Sequence, residues 1–154
     1  MELTAFDLKL LRVLADDGRG SWTELAQQMG VTGQAVAERV RRLQQTGVID
    51  RFTVRVNPAA MGVDTTAFVA VTLERPRYRE GFLRAVAELN SILECHQVAG
   101  DDDYWLKLMV SGLAGLEEAL DVIRAIPGVA RTRSTMVLKT AKSGAVPWPA
   151  EPAK

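Results

Sequence analysis

One stretch, Ser21 to Phe52 (SWTELAQQMGVTGQAVAERVRRLQQTGVIDRF), leaves this chain few ways to fold. Ser21 followed three residues on by Glu24 has the spacing of a capping box, so a helix opens there. Its apolar residues Leu25, Ala26 and Met29 share one face. Gly30-Val31 breaks that helix, and Thr32 is placed to cap a second one that ends before Gly47. In the second helix Val36, Val40 and Leu43 recur at i, i+4 and i+7, so they pack inward. The other side carries Gln34, Glu38, Arg41, Arg42 and Gln45. Two short helices around a tight turn, the second polar and basic on its outer face, make a shape that the DNA major groove accepts.

Composition makes that footprint local. Lys and Arg number 19 and Asp and Glu 19, so the formal net charge is zero. Between Thr32 and Val56, however, Arg39, Arg41, Arg42, Arg51 and Arg55 face only Glu38 and Asp50. A merely solvated helix face more often alternates signs. The 154 residues allow one or two domains, and no run approaches the ~18 apolar residues of a membrane span. The start, MELTAFDLKLLRVLADDGRG, has acids where a signal peptide has bases. It reads instead as an amphipathic helix with Leu8, Leu11 and Leu14 plus Val13, stopped at Gly18 and Gly20. The lone Cys95 leaves no intramolecular disulfide. The compartment expected from these features is the cytoplasm.

After Gly47, Val48 to Val56 reads as an extended segment returning beside the helices, and Asn57-Pro58 and Gly62 break it. The expected layout is a helix-turn-helix domain over 1–53, a hinge or linker strand over 54–62, a second domain over 63–142 and a mobile tail over 143–154. In the second domain, Thr65–Glu74 reads as a strand and Arg75-Pro76 as its stop. A helix follows with Phe82, Val86 and Leu89 on one face, then strands Ile92–Ala99 and Tyr104–Val110 flanking a Gly-Asp-Asp-Asp turn. A second helix with Leu116, Leu120 and Ile123 ends at Pro127-Gly128, and a last strand spans Val129–Thr140. The order β-α-β-β-α-β predicts a ferredoxin-like split βαβ sandwich, both helices on one face of an antiparallel sheet, with right-handed crossovers. The whole is an α+β chain.

With a winged type of helix-turn-helix before such a sandwich, the chain resembles the Lrp/AsnC (leucine-responsive, feast/famine) transcriptional regulators. The residues that carry the resemblance run in order from Leu3 to about Lys142. They are D-x-K-L-L at Asp7 to Leu11, D-D-G-R at Asp16 to Arg19, E-L-A at Glu24 to Ala26, and V-x-x-R-V-R-R-L-x-x-x-G-V-I from Val36 to Ile49. The second domain adds C-H-x-V-x-G-x-x-D-Y at Cys95 to Tyr104 and P-G-V-x-R-T-R at Pro127 to Arg133. The resemblance implies a DNA-binding domain joined to an effector-binding, oligomerising RAM domain. It also implies dimers formed through the sheets, assembly of dimers into rings such as octamers, and amino-acid effectors bound where dimers meet.

For DNA, the expected contacts are Thr32, Gln34, Ala35 and Glu38 near base edges, since Gln suits adenine and Glu suits cytosine. Arg41 and Arg42 suit phosphates, as do Ser21 and Thr23 at a helix N-terminus. Arg39 reads two ways, as part of this surface or as an inward brace to an acid, because it lies near the Val36 stripe. Trp22 is read as a core cap, with a groove-side position as the alternative. Two such units per dimer imply a roughly palindromic operator.

For the effector, Gly100, Asp101, Asp102, Asp103 and Tyr104 match the family's turn, and Thr132, Ser134 and Thr135 offer hydroxyls. Glycine lets backbone N–H groups approach a carboxylate, and carboxylates attract an ammonium group. Ala99 stands where many relatives have threonine, which leaves the amino acid open and keeps in play a DNA-organising protein without an effector. Cys95 and His96, adjacent on a strand, point to opposite faces, so no metal is expected. No cofactor and no enzymatic activity are expected either, because the one His lacks a nucleophile partner and no phosphate-binding loop is present.

Overall fold

The structure is a computed structural model that describes residues 2–144 and Trp148; most of the tail expected at 143–154 lies outside these residues. The chain divides into two compact units at Val56/Asn57.

The N-terminal unit is three helices, α1 (Ala5–Asp16), α2 (Trp22–Met29) and α3 (Gly33–Gln45). Each begins at a hydroxyl that accepts an N–H the helix cannot satisfy itself. Thr4 and Asp7 form one capping box, Ser21 and Glu24 a second, and the Thr32 hydroxyl accepts from Ala35 N–H at 3.2 Å. Gly30 ends α2 in the left-handed conformation (φ 69°), which gives the tight turn into α3. Leu10, Leu14, Leu25, Ala26, Val36, Val40 and Leu43 form the core.

In α1 the buried stripe is Asp7, Leu10 and Leu14, while Leu8, Leu11 and Val13 are only half-buried. The expected apolar stripe is thus rotated, because a carboxylate occupies its first position. Asp7 is wholly buried, and Arg39 of α3 reaches it with both Nε and Nη2, the latter 2.5 Å from Oδ2. Thr4 donates its N–H at 2.8 Å and its hydroxyl at 2.7 Å to the same oxygen. The Arg39 bonds, followed by those from Thr4, hold the Asp7 carboxyl down at about 2, against the penalty of burial. Trp22, expected in the core, is 39% exposed at the first turn of α2. Val48 to Val56 carries no strand, and Phe52, Val54 and Val56 are exposed. The physical reason is that this all-helical unit offers the segment no strand edge to pair with.

A 3-10 turn, Pro58–Met61, opens the second unit. It is capped by the Asn57 side chain, which accepts from Ala59 N–H at 3.2 Å, and closed by Gly62 (φ 76°). Then follow β1 (Thr65–Leu73), α4 (Arg79–Ala87), β2 (Ile92–Gln97), β3 (Tyr104–Val110), α5 (Gly112–Ala125) and β4 (Val129–Met136). The sheet is antiparallel between neighbours with order β2-β3-β1-β4. β2 stops two residues before Ala99 and β4 ends at Met136, short of the expected Thr140, where the pairing with β1 runs out at Ala67.

Alternation sorts the residues by face. Ala67, Val69, Val71, Tyr104, Leu106, Leu108 and Val110 pack against Phe82, Val86, Leu116, Leu120 and Ile123 of the helices. The other face carries Phe68, Ala70 and Thr72, with Trp105 and Lys107 beside them on β3 and Arg131, Arg133 and Thr135 on β4. Among the described residues no helix of the unit packs on that face. A Cβ added at Gly128 (φ 89°) would lie 2.0 Å from Tyr78 Cγ, so only glycine lets this turn close on the ring.

Arg39→Ala strands a buried carboxylate and is expected to cost the helical unit about 3 kcal/mol, read by urea unfolding. The double variant Asp7→Leu/Arg39→Met is expected to recover most of that loss, and a double variant no more stable than the single one contradicts it. The pH dependence has a fixed sign. Asp7's folded value lies below its ordinary 3.8, so its contribution of roughly 2 kcal/mol is complete above about pH 4 and is lost as pH falls toward about 2. Acid titration of stability in wild type against Asp7→Asn checks this window.

Candidate functional site

The outward face of α3 is built by what its inward face is committed to. With Val36, Val40 and Leu43 buried and Arg39 turned to Asp7 and Thr4, the helix presents Gln34, Ala35, Glu38, Arg41 and Arg42 to solvent. Among the described residues neither Arg41 nor Arg42 enters an ion pair. Gly33 lies against the backbone of Trp22 and Thr23, 3.6 Å from the Trp22 carbonyl for a Cβ placed there. The N-termini of α2 and α3 therefore adjoin, and both present partial positive charge. Thr23 is exposed there, whereas the hydroxyls of Ser21 and Thr32 are taken up in capping, Ser21 donating to Glu24 Oε2 at 2.8 Å. The structure thus groups the expected DNA residues on one surface, with Arg39 as the bracing exception.

The second site lies at the β2–β3 turn. A hollow of about 370 Å³ is lined by Val98, Ala99, Gly100, Asp101 and Asp102, with Trp105 and Arg133 at its side. Gly100 adopts φ 152°, a conformation L side chains avoid. Asp102 is buried, and its Oδ2 accepts from Arg133 Nη2 at 2.7 Å. Its Oδ1 accepts from Thr72 Oγ1 at 3.3 Å and Arg131 Nη2 at 3.4 Å. A second hollow of about 230 Å³ shares Trp105 and Arg133 and adds Phe68, Ala70 and Thr135 on the open face of the sheet.

The eight expected effector residues stand differently from one another. Gly100, Asp101 and Asp102 line the first hollow and Thr135 the second. Asp103 instead ties strands together, its Oδ2 accepting from Leu73 N–H at 2.7 Å. Tyr104 points into the core, its ring 5.0 Å from Phe82, and among the described residues its hydroxyl has no hydrogen-bond partner. Thr132 and Ser134 pair with Val71 and Val69, so they belong to the opposite face from Thr135. Thr132 accepts from Arg124 Nε at 3.3 Å. Sequence reasoning passed over Trp105, Arg133, Phe68 and Ala70 as site residues. The period-two register with Thr135 was the signal that could have found them.

Comparison with known proteins follows this division. Residues 3–44 match the AsnC-type helix-turn-helix domain, and residues 66–147 match the Lrp/AsnC ligand binding domain. The chain belongs to the Lrp/AsnC family of transcriptional regulators. Among its relatives, the Bkd operon transcriptional regulator of Pseudomonas aeruginosa is 37% identical over 142 residues, 90% of this chain and 93% of that protein. The leucine-responsive regulatory protein of Escherichia coli is 37% identical over 144 residues, 92% of this chain and 88% of that protein. The feast or famine regulatory protein of M. tuberculosis, complexed with L-methionine, superposes with a TM-score of 0.87 at 37% identity, covering 96% of this chain and all of that one.

Within that family assignment, the Cys95-His96 pair takes ordinary structural roles. Cys95 packs against the core and burial pushes its thiol up, while His96 Nε2 lies 3.1 Å from Glu94 Oε2, which also accepts from Lys107 through Oε1. Among the described residues no group of three or more His, Cys, Asp or Glu is placed to hold a metal. No helix among them is long and apolar enough to cross a membrane.

Proposed function

We propose that this chain is a sequence-specific DNA-binding regulator, not an enzyme, whose assembly or DNA affinity responds to an amino acid. The observation that carries the DNA reading is the division of α3, apolar and braced on one side, Gln34, Glu38, Arg41 and Arg42 on the other. Gln34 and Glu38 read base edges; Arg41, Arg42 and Thr23 hold phosphates. The uncovered sheet face with Phe68 and Trp105 joins two copies, and the dimers assemble further, in octamers by family likeness. A dimer carries two helix-turn-helix units and so reads a roughly palindromic operator with half-sites spaced by helical turns. The turn and hinge at Asn57–Gly62 join output to sensor. The work is done in the cytoplasm, on the nucleoid.

The effector reading is supported by the hollow at Gly100–Asp102 and by the relatives solved with L-methionine, the M. tuberculosis regulator and the Neisseria meningitidis regulator. A glycine-lined, charged hollow of this size accommodates a free amino acid.

Arg41→Ala is expected to weaken operator binding and to lower the slope of log K against log salt by about one. A fluorescence anisotropy titration across salt concentrations measures it, and an unchanged slope removes Arg41 from the phosphate contacts. Screening the free amino acids by thermal shift is expected to yield at least one that raises the melting temperature and alters the mass seen by light scattering. If every amino acid leaves both unchanged, the protein organises DNA without a small-molecule switch.

A further inference from the structure

One large aromatic of the first unit stands outside the core at a position where burial was the natural outcome. Trp22 precedes the buried Leu25 and Ala26 at i−3 and i−4, so it extends the inward stripe of α2 by a turn. Yet it is exposed and is not among the residues packed on that core. Its backbone lies against Gly33 at the start of α3, where an added Cβ would stand 3.6 Å from the Trp22 carbonyl. The N-termini of the two helices thus meet at this residue. Among the described residues its indole N–H has no hydrogen-bond partner. We propose that Trp22 is a DNA backbone contact, its indole N–H donating to a phosphate oxygen while the ring covers the adjoining deoxyribose. This rests on the DNA reading above and adds a residue to it.

Position and chemistry converge on that role. A helix-turn-helix lays the N-terminal end of its second helix in the major groove while the first helix crosses the sugar–phosphate backbone. A residue where both N-termini meet therefore stands at the groove rim, beside phosphates rather than base edges. Indole is a donor only, so an acceptor-rich phosphate suits it. The donor sits on the edge of a rigid ring with two side-chain torsions to order, which keeps the entropic cost of contact low. The neighbouring hydroxyls are not free to do the same work, because Ser21 and Thr32 are engaged in capping. Trp22 carries no charge, so its contact adds affinity without releasing a counterion. That separates it from Arg41 and Arg42.

A duplex that the wild-type chain selects from a random-sequence pool serves as the probe. Trp22→Phe keeps a ring and removes the donor. It is expected to weaken binding by about tenfold, with the slope of log K against log salt unchanged. Trp22→Ala is expected to lose more, because the deoxyribose loses its cover too. Methylphosphonate placed at each phosphate in turn locates the contact. At one position the substitution is expected to cost the wild type affinity and to cost Trp22→Phe little. Acrylamide quenching of wild-type fluorescence is expected to fall when duplex is added, and this protection shrinks in Trp22→Phe. Wild-type affinity in Trp22→Phe overturns the contact, as does the absence of any methylphosphonate position where the two losses overlap. If Arg41→Ala still binds more weakly, only the role of Trp22 falls; a wild type that selects no duplex sinks the DNA reading as well. Should Trp22→Ala unfold early in urea, Trp22→Phe and the quenching measurement still decide.

Discussion

Asp7 carries a full negative charge where water does not reach, and it is stable there because Arg39 comes across from another helix to meet it. That single pair fixes more than an energy. It ties the first turn of α1 to the middle of α3, so the rotation of α3 about its own axis is set by charge as well as by the Val36, Val40 and Leu43 stripe. An apolar stripe alone tolerates some rolling, since neighbouring aliphatic contacts are nearly equivalent. A bidentate guanidinium–carboxylate contact is directional. The residues that remain outward, Gln34, Glu38, Arg41 and Arg42, are held at defined angles by a contact none of them makes. Recognition by base edges requires that kind of fixity, because hydrogen bonds to bases fail within a fraction of an ångström.

The elements themselves were legible because their signals are local. Capping boxes, the Gly30 break and the βαββαβ order each depend on residues a few positions apart. Burial of Asp7 was not legible as such, because a carboxylate in an amphipathic helix reads as surface until its partner 32 residues away is known. The Arg39 position near the inward stripe was the one local hint of a brace. The exposed Trp22 is the converse case. Large aromatics default to the core, yet the Trp22 ring, at the first turn of α2, is 39% exposed.

At the β2–β3 turn, Asp101, Asp102 and Asp103 are chemically identical in sequence and divide their roles entirely by tertiary context. Asp101 is exposed, Asp102 faces two arginines from β4, and Asp103 accepts a backbone N–H of β1. The partners lie about thirty positions away on other strands; no spacing rule reaches that far. The alternation rule did carry further than it was used. Thr132 and Ser134 cannot share a face with Thr135 on one strand, and Arg133 must accompany Thr135. Reading hydroxyls by chemistry without asking parity grouped two residues of one sheet face with a third of the other.

Two aspartates, Asp7 and Asp102, are buried against arginines, and the exposure of the arginine separates them. Asp7 and Arg39 are enclosed, with the arginine side chain only 24% exposed and Thr4 filling the remaining acceptor positions. No ligand has a route to that pair, so it acts as a fixed joint. At Asp102 the carboxylate is equally buried but its cover is an arginine mostly in solvent, above an open hollow. The enclosed pair of the first unit and the half-open pair of the second thus differ by which partner meets water.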